Sequence, residues 1–277
     1  MLRLLQIEFI KLWNNRASKM LIIAYFILLT LISLVAAIKF DIGPIKFHLA
    51  DLGIFNFPYI WHFNAFIAAF FKLFLAVVIV SMMANEYSNK TIKQNLIDGL
   101  SKWEFVYSKF LTVLAFSAIS TLFLFVVSLI LGLAYSDYNE LSIIFSDLEF
   151  IVAFFVKLLG FFSFCLFLGI LVKRSAFALG FLILWAILEQ LFFGLLGWKA
   201  TSWENALVIK GFLPLQSMSN LLHEPFSRLG AVQSLGDQIG EDLRFDYAVH
   251  WYDFLIVLCW TAIFIYLSYA LLKKRDL

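Results

Sequence analysis

Three charged side chains, Lys72, Lys157 and Glu189, stand inside stretches that are otherwise largely apolar. A charge in lipid pairs with another group or faces water, so each is a candidate for structural or transport chemistry. Glu189 is the one acid within these stretches. It is expected to pair with Lys157, its neighbour in chain order, or with Lys72, either as a fixed link between helices or along a polar path. The four histidines, His48, His62, His223 and His250, are scattered. His48 and His250 each precede an aspartate by three residues, a spacing that shares one helix face but is too common to define a metal site. His223-Glu224-Pro225-Phe226-Ser227 opens like a zinc-protease helix, yet it lacks the second histidine and carries a helix-disrupting proline. None of the 13 glycines is followed by lysine, which excludes the phosphate-cradling Gly-x4-Gly-Lys-Ser/Thr loop. There is no Gly-x-Ser-x-Gly elbow either. No catalytic residue, metal ligand or bound cofactor is therefore expected on this chain.

The elements that position these groups follow from composition. The chain is 63% hydrophobic and 14% charged, with 33 phenylalanines among 277 residues and a mean hydropathy of +0.92. Crossing about 30 Å of hydrocarbon takes roughly 20 apolar residues. Six runs qualify: 20–38, 61–84, 110–135, 150–172, 176–198 and 254–272. In lipid the backbone must satisfy its own hydrogen bonds, so all six are expected to be helices of one all-α, polytopic domain. Ahead of them, in segment 1–19, Leu2, Leu5, Phe9, Leu12 and Trp13 recur near the 3.6 period, which predicts an amphipathic helix lying in the membrane interface. Cys165 and Cys259 both fall within spans and imply no disulfide framework. In the third span Thr112, Ser117, Ser120, Thr121 and Ser128 form a small, polar stripe suited to close helix approach, as a dimer face or a lumen face.

Segment 85–109 is too charged for lipid and too long for a turn. Thr91 with Gln94, and Ser101 with Glu104, have the Ser/Thr-x-x-Glu/Gln spacing of helix starts. Gly99 stands where a helix would stop. A helix of roughly two turns is expected between them. Ile92, Leu96 and Ile97 would be offered for burial in a groove, with Lys90, Lys93 and Asp98 at its rim.

Charge sets the orientation. The N-terminal segment, the 85–109 insert, Lys173-Arg174 and the tail Lys273-Lys274-Arg275 place 13 basic residues against five acidic ones on one side. The opposite loops, 39–60, 136–149 and 199–253, carry six basic and 13 acidic residues. Basic loops stay in the cytoplasm, so both termini and the insert are expected inside. The overall balance of +2 gives no reason to expect a nucleic-acid partner. The loop 199–253 divides into an apolar half, kinked by Gly211 and Pro214, expected to form short helices capping the outer face, and a Gly-rich acidic half expected to be a solvated lid.

At the insert, Glu86-Tyr87, Lys90-Thr91-Ile92-Lys93, Leu96-Ile97, Gly99, Ser101-Lys102 and Lys109 resemble the cytosolic loop between the second and third spans of ABC-2 type permeases of ABC transporters. Lys90 stands where glycine is commoner. The opening Glu8, Lys11-Leu12 and Arg16 and the tail Lys273-Lys274-Arg275-Asp276 are similar to that family too. The resemblance implies a six-span export permease of the cell's inner membrane, paired with a second, identical or related permease and with two separately encoded ATPase subunits that bind ATP and magnesium. Segment 85–109 would be the coupling helix seated on an ATPase, with the interfacial helix beside it. Two other classes compete: a membrane anchor that recruits a cytosolic partner, and a membrane-embedded lipid-modifying enzyme.

Overall fold

The computed structural model describes residues 2–35, 39–42, 45–48, 53–138, 140–200, 203–229, 232–233 and 246–275. Helices dominate it. In chain order they are α1 (Leu2–Asn14), α2 (Arg16–Val35), α3 (Tyr59–Phe70), α4 (Lys72–Ser88), α5 (Thr91–Ile97), α6 (Lys102–Tyr135), α7 (Leu141–Ile144), α8 (Glu149–Val172), α9 (Ser175–Leu195), α10 (Trp203–Gly211), α11 (Pro214–Asn220) and α12 (Trp251–Lys274). The fold is helical as expected, and a short antiparallel hairpin, β1 (Lys39–Ile42) with β2 (Ile45–His48), lies between α2 and α3 in the sequence.

Among the described residues four helices are long and apolar enough to cross a membrane, or five if α3 and α4 together make one bent span. The run 61–84, read from sequence as one rod, is broken: α3 and α4 meet at 45°. At the break the Phe71 N–H turns back to the Ala68 carbonyl, and Lys72 begins the second half. The run 20–38 corresponds to α2, but residues 36–38 lie outside the described set, as does most of the acidic half of the 199–253 loop.

Helix α8 is the axis of the bundle. Of its most apolar 18 residues 83% are buried within the chain, against 11% for α9, so α8 is wrapped by its neighbours while α9 turns most of its surface outward. Close approach depends on Gly160, where an added Cβ would stand 2.7 Å from Val257 of α12. The polar stripe of α6 also points inward. Thr112, Ser117, Ser120 and Ser128 are fully buried, and Ser128 accepts a 2.9 Å bond from Asn64 of α3. The stripe therefore packs helices of this chain together, where the sequence suggested a dimer or lumen face. Its small side chains let backbones approach, and Thr112 and Ser117 return their hydroxyls to the carbonyls of Ser108 and Val113.

The expected pairing of Glu189 with a lysine is not made. Its carboxylate accepts the backbone N–H groups of Leu215 at 3.0 Å and Gln216 at 3.1 Å, and the Trp185 indole N–H at 2.8 Å. Those amides open α11. Pro214 at its first position has no N–H, so the next two amides are the orphan donors, and the positive end of the helix neutralises the acid. Helix α11 packs beside Gly160 through Met218, and Trp260 of α12 donates to the Phe212 carbonyl at 2.9 Å. The apolar half of the loop thus dips between the long helices. At the same end Arg228 closes the cap. It reaches His62 Nδ1 at 3.2 Å and Asp147 at 3.3 Å, and lies against the rings of Tyr59, Phe150 and Tyr247.

Replacing Glu189 by Lys would aim an ammonium at two N–H donors and is expected to lower folded yield sharply in detergent extracts. The exchange Glu189→Lys with Lys157→Glu is expected not to restore it, whereas restored yield would reinstate the lysine pairing.

Candidate functional site

At the opposite end, α1, α4, α5 and α6 converge on one buried ion cluster. Lys109, near the start of α6, has no solvent exposure. Its ammonium donates to Glu8 Oε2 of α1 at 2.6 Å and to Glu86 Oε1 of α4 at 2.5 Å. Lys11, one turn along α1 from Glu8, donates to Glu86 Oε1 at 2.9 Å and reaches Glu8 Oε1 at 3.5 Å. Thr91 at the start of α5 gives its hydroxyl hydrogen to the Glu86 carboxylate. Two carboxylates and two ammoniums balance in charge, and Glu8 and Glu86 are 5% and 4% exposed. Lys11 is held above its ordinary pKa: partial burial works against its charge, but the neighbouring Glu8 and Glu86 outweigh it.

Each ligand of Lys109 is delivered by a separate local pattern. In α1 the inward face carries Leu4, Leu5, Glu8, Phe9 and Leu12, so Glu8 is an acid set within an apolar stripe. The outward face leaves Ile7, Ile10 and Trp13 exposed. Glu86 lies near the end of α4, before the chain turns at Asn89 and Lys90. Lys109 is presented by a helix whose start is well fixed: Ser101 and Glu104 form the reciprocal capping box expected of them.

The other expected start is present, with α5 beginning at Thr91, but it lacks the side-chain cap. Lys90 is the N-cap residue, with φ of 54° in the left-handed region and no side-chain cap, and Thr91 spends its hydroxyl on Glu86. Helix α5 then runs seven residues to a stop at Gly99, whose φ is 95°. The Gly99 and Leu100 amides close onto the Leu96 and Asn95 carbonyls at 3.2 and 3.0 Å, the paired bonds of a Schellman stop.

The surface that α5 presents differs from the one expected. Ile92 is buried in this chain's own core and Leu96 packs against it. Ile97 is 75% exposed, flanked by exposed Lys93, Gln94 and Asp98, with Lys90 nearby. Ile92 and Leu96 are four residues apart and share one face, while Ile97 falls about 100° further round, as 3.6 residues per turn requires.

A third tie comes from the C-terminal end. Arg275 donates to the Tyr87 hydroxyl at 2.8 Å, and to the Ile170 and Leu171 carbonyls at 2.5 and 2.9 Å. It thereby satisfies the last carbonyls of α8, where a cation is favourable. Lys102 of α6 donates to the Lys273 and Arg275 carbonyls at 3.3 and 3.0 Å. Both described ends of the chain therefore meet segment 85–109 at one end of the bundle.

Of the residues singled out from sequence, Glu8, Lys11, Glu86 and Thr91 come together, while Lys90, Lys93 and Ile97 lie on the outer surface of α5. Arg16 is exposed at the start of α2, apart from the cluster. Lys72, Lys157 and Glu189 lie elsewhere, along the helices. In the sequence Lys109 and Arg275 stand out only as basic residues of a motif and a tail. An acid within the apolar stripe of α1 was the available sign that a buried cation would meet it. Among the described residues no group of three or more His, Cys, Asp or Glu side chains is placed to hold a metal.

A bundle of long apolar helices, with a short polar helix held at one end beside a buried ion cluster, is that of a multi-pass membrane protein. A family model described as ABC-2 family transporter protein matches residues 6–277, and the chain belongs to that family. No curated protein matches the chain.

Removing one member of a buried ion pair typically costs about 3–5 kcal/mol, because the other is left uncompensated. Lys109→Met is expected to destabilise the chain by about that much, read as a lower unfolding temperature in detergent, with partial recovery when Glu8→Gln is added. Lys90→Gly should raise stability by about 1 kcal/mol by removing the left-handed side-chain penalty; a decrease would show that the Lys90 side chain contributes to the turn.

Proposed function

We propose that this chain is the permease subunit of an ATP-driven exporter, acting with a second permease and two separate ATPase subunits, and that α5 is its coupling helix. The observation that carries this reading is the Glu8–Lys109–Glu86 cluster, which ties the base of α5 to three other helices while leaving Lys93, Gln94 and Ile97 free to meet a partner. A docking helix on a loose loop would absorb a push. Here α5 is attached through the Thr91 hydroxyl on Glu86 and through buried Ile92, so a push on α5 reaches Glu86, and a moving Glu86 carries α1 and α6 because separating buried opposite charges is costly. The orientation follows from charge: the end with α5 holds the basic excess and faces the cytoplasm, where an ATPase would be found. Helix α1, with exposed Ile7, Ile10 and Trp13, lies along the inner interface.

ATP-driven closure of the ATPase pair would move α5, and the clamped helices would pass that motion to the kinked span and to the centre of the permease pair. The mechanical path runs through Thr91 and Glu86 into α4, and through Lys109 into α6. Arg275 holds the end of α8 against the same structure.

Ile97→Asp should leave expression and membrane insertion intact while lowering ATP hydrolysis by the co-purified ATPase at least tenfold. Unchanged binding and turnover would remove α5 from the coupling path. A complex that binds ATPase but never alters its turnover, even in the unsubstituted protein, would make the chain an anchor.

A further inference from the structure

We propose that the groove between α3, α4, α8, α9 and α11 binds a single-tailed amphiphilic acid, with its acid group held between Lys72 and Lys157. The groove has a volume of about 390 Å³. Its wall is apolar apart from Lys72, Lys157 and Ser219, with Phe66, Phe161 and Leu182 among the lining residues.

Among the described residues neither ammonium has a carboxylate partner. Lys72 lies over the Phe161 ring, 4.4 Å from its centroid, and Lys157 reaches the Ser219 carbonyl only at 3.5 Å. Lys72 and Lys157 line the same groove, so two like charges share one apolar wall. Glu189, the acid closest to them in kind, is consumed by the amides of α11. Two cations in an apolar wall without a counter-charge are costly in a membrane setting, and an anion from outside relieves both the desolvation and the mutual repulsion.

The rest of the ligand follows from the shape. Phe70 and Ile183 line the groove and are each 63% exposed, so it opens sideways between helices where an apolar tail can enter. A small water-soluble anion gains nothing from such a wall. The volume lies near the bottom of the roughly 300–1,000 Å³ that ligand pockets occupy, which favours one tail over two.

Binding can be read on the purified full chain in neutral detergent by native mass spectrometry, with oleate, oleyl alcohol and phosphatidylglycerol as probes. One oleate per chain is expected, with oleyl alcohol at least tenfold weaker. The pair Lys72→Met and Lys157→Met should lower oleate affinity at least tenfold, while Lys72→Arg with Lys157→Arg keeps it. Equal binding of oleate and oleyl alcohol to the unsubstituted chain would overturn the proposal, whatever the variants do. So would displacement of oleate by equimolar phosphatidylglycerol, which would assign the groove to bilayer phospholipid. No ATP or ATPase enters this measurement, so its failure leaves the coupling reading standing.

Discussion

A lysine with no solvent exposure, Lys109, can exist as an ammonium inside this chain only because Glu8 and Glu86 both reach it. Desolvating these groups costs about as much as their attraction returns, so the cluster adds little net stability by itself. Its consequence is geometric. Any arrangement that separates α1, α4 and α6 strands a buried charge, and that penalty of several kcal/mol selects one arrangement at this end of the bundle. Thr91 adds α5 to the same unit through Glu86.

The remainder of the molecule divides the work by burial. Helix α8 organises the core by packing, with Gly160 and the small residues of α6 setting how near its neighbours come. Several polar groups within that core are satisfied locally, by hydroxyls returned to their own helix and by the Glu189 carboxylate on the first amides of α11, whereas the buried hydroxyls of Tyr25, Ser120, Ser163 and Ser268 have no hydrogen-bond partner among the described residues. Among the charged groups of the interior Lys72 and Lys157 stand out, and their lack of a carboxylate partner among the described residues sets the groove apart. The two ends of the bundle differ in kind. The end bearing Arg228 is closed by rings around one guanidinium, whereas the other end is held by balanced charges and presents an exposed helix face.

Features written into a few adjacent residues were legible from sequence. The Gly99 stop, the Ser101–Glu104 box and the apolar runs each depend on local geometry, and segment 85–109 stands out because its polarity interrupts the pattern. Family resemblance placed Lys90 where glycine is commoner, and the left-handed φ of 54° there is the physical reason for such a preference. What could not be read was contact between distant segments. Sequence matched Glu189 to the nearest opposite charges, but the first free amides of a short helix also donate to a carboxylate, and only Pro214 hinted at where that helix begins. Ile92 and Leu96 looked like a docking face because apolar periodicity identifies a buried stripe without saying which partner buries it. The bend at Phe71 carries no proline or glycine to announce it.

If the buried cluster makes α5 and α1 one mechanical unit, the distance between them stays fixed while the transporter cycles. Spin labels at the exposed positions Lys93 and Arg3, measured by pulsed electron resonance in the assembled complex, read that distance directly. The account requires one narrow distribution, identical with and without ATP, that broadens in Lys109→Met. A distance that shifts on ATP binding in the otherwise unsubstituted protein would contradict it.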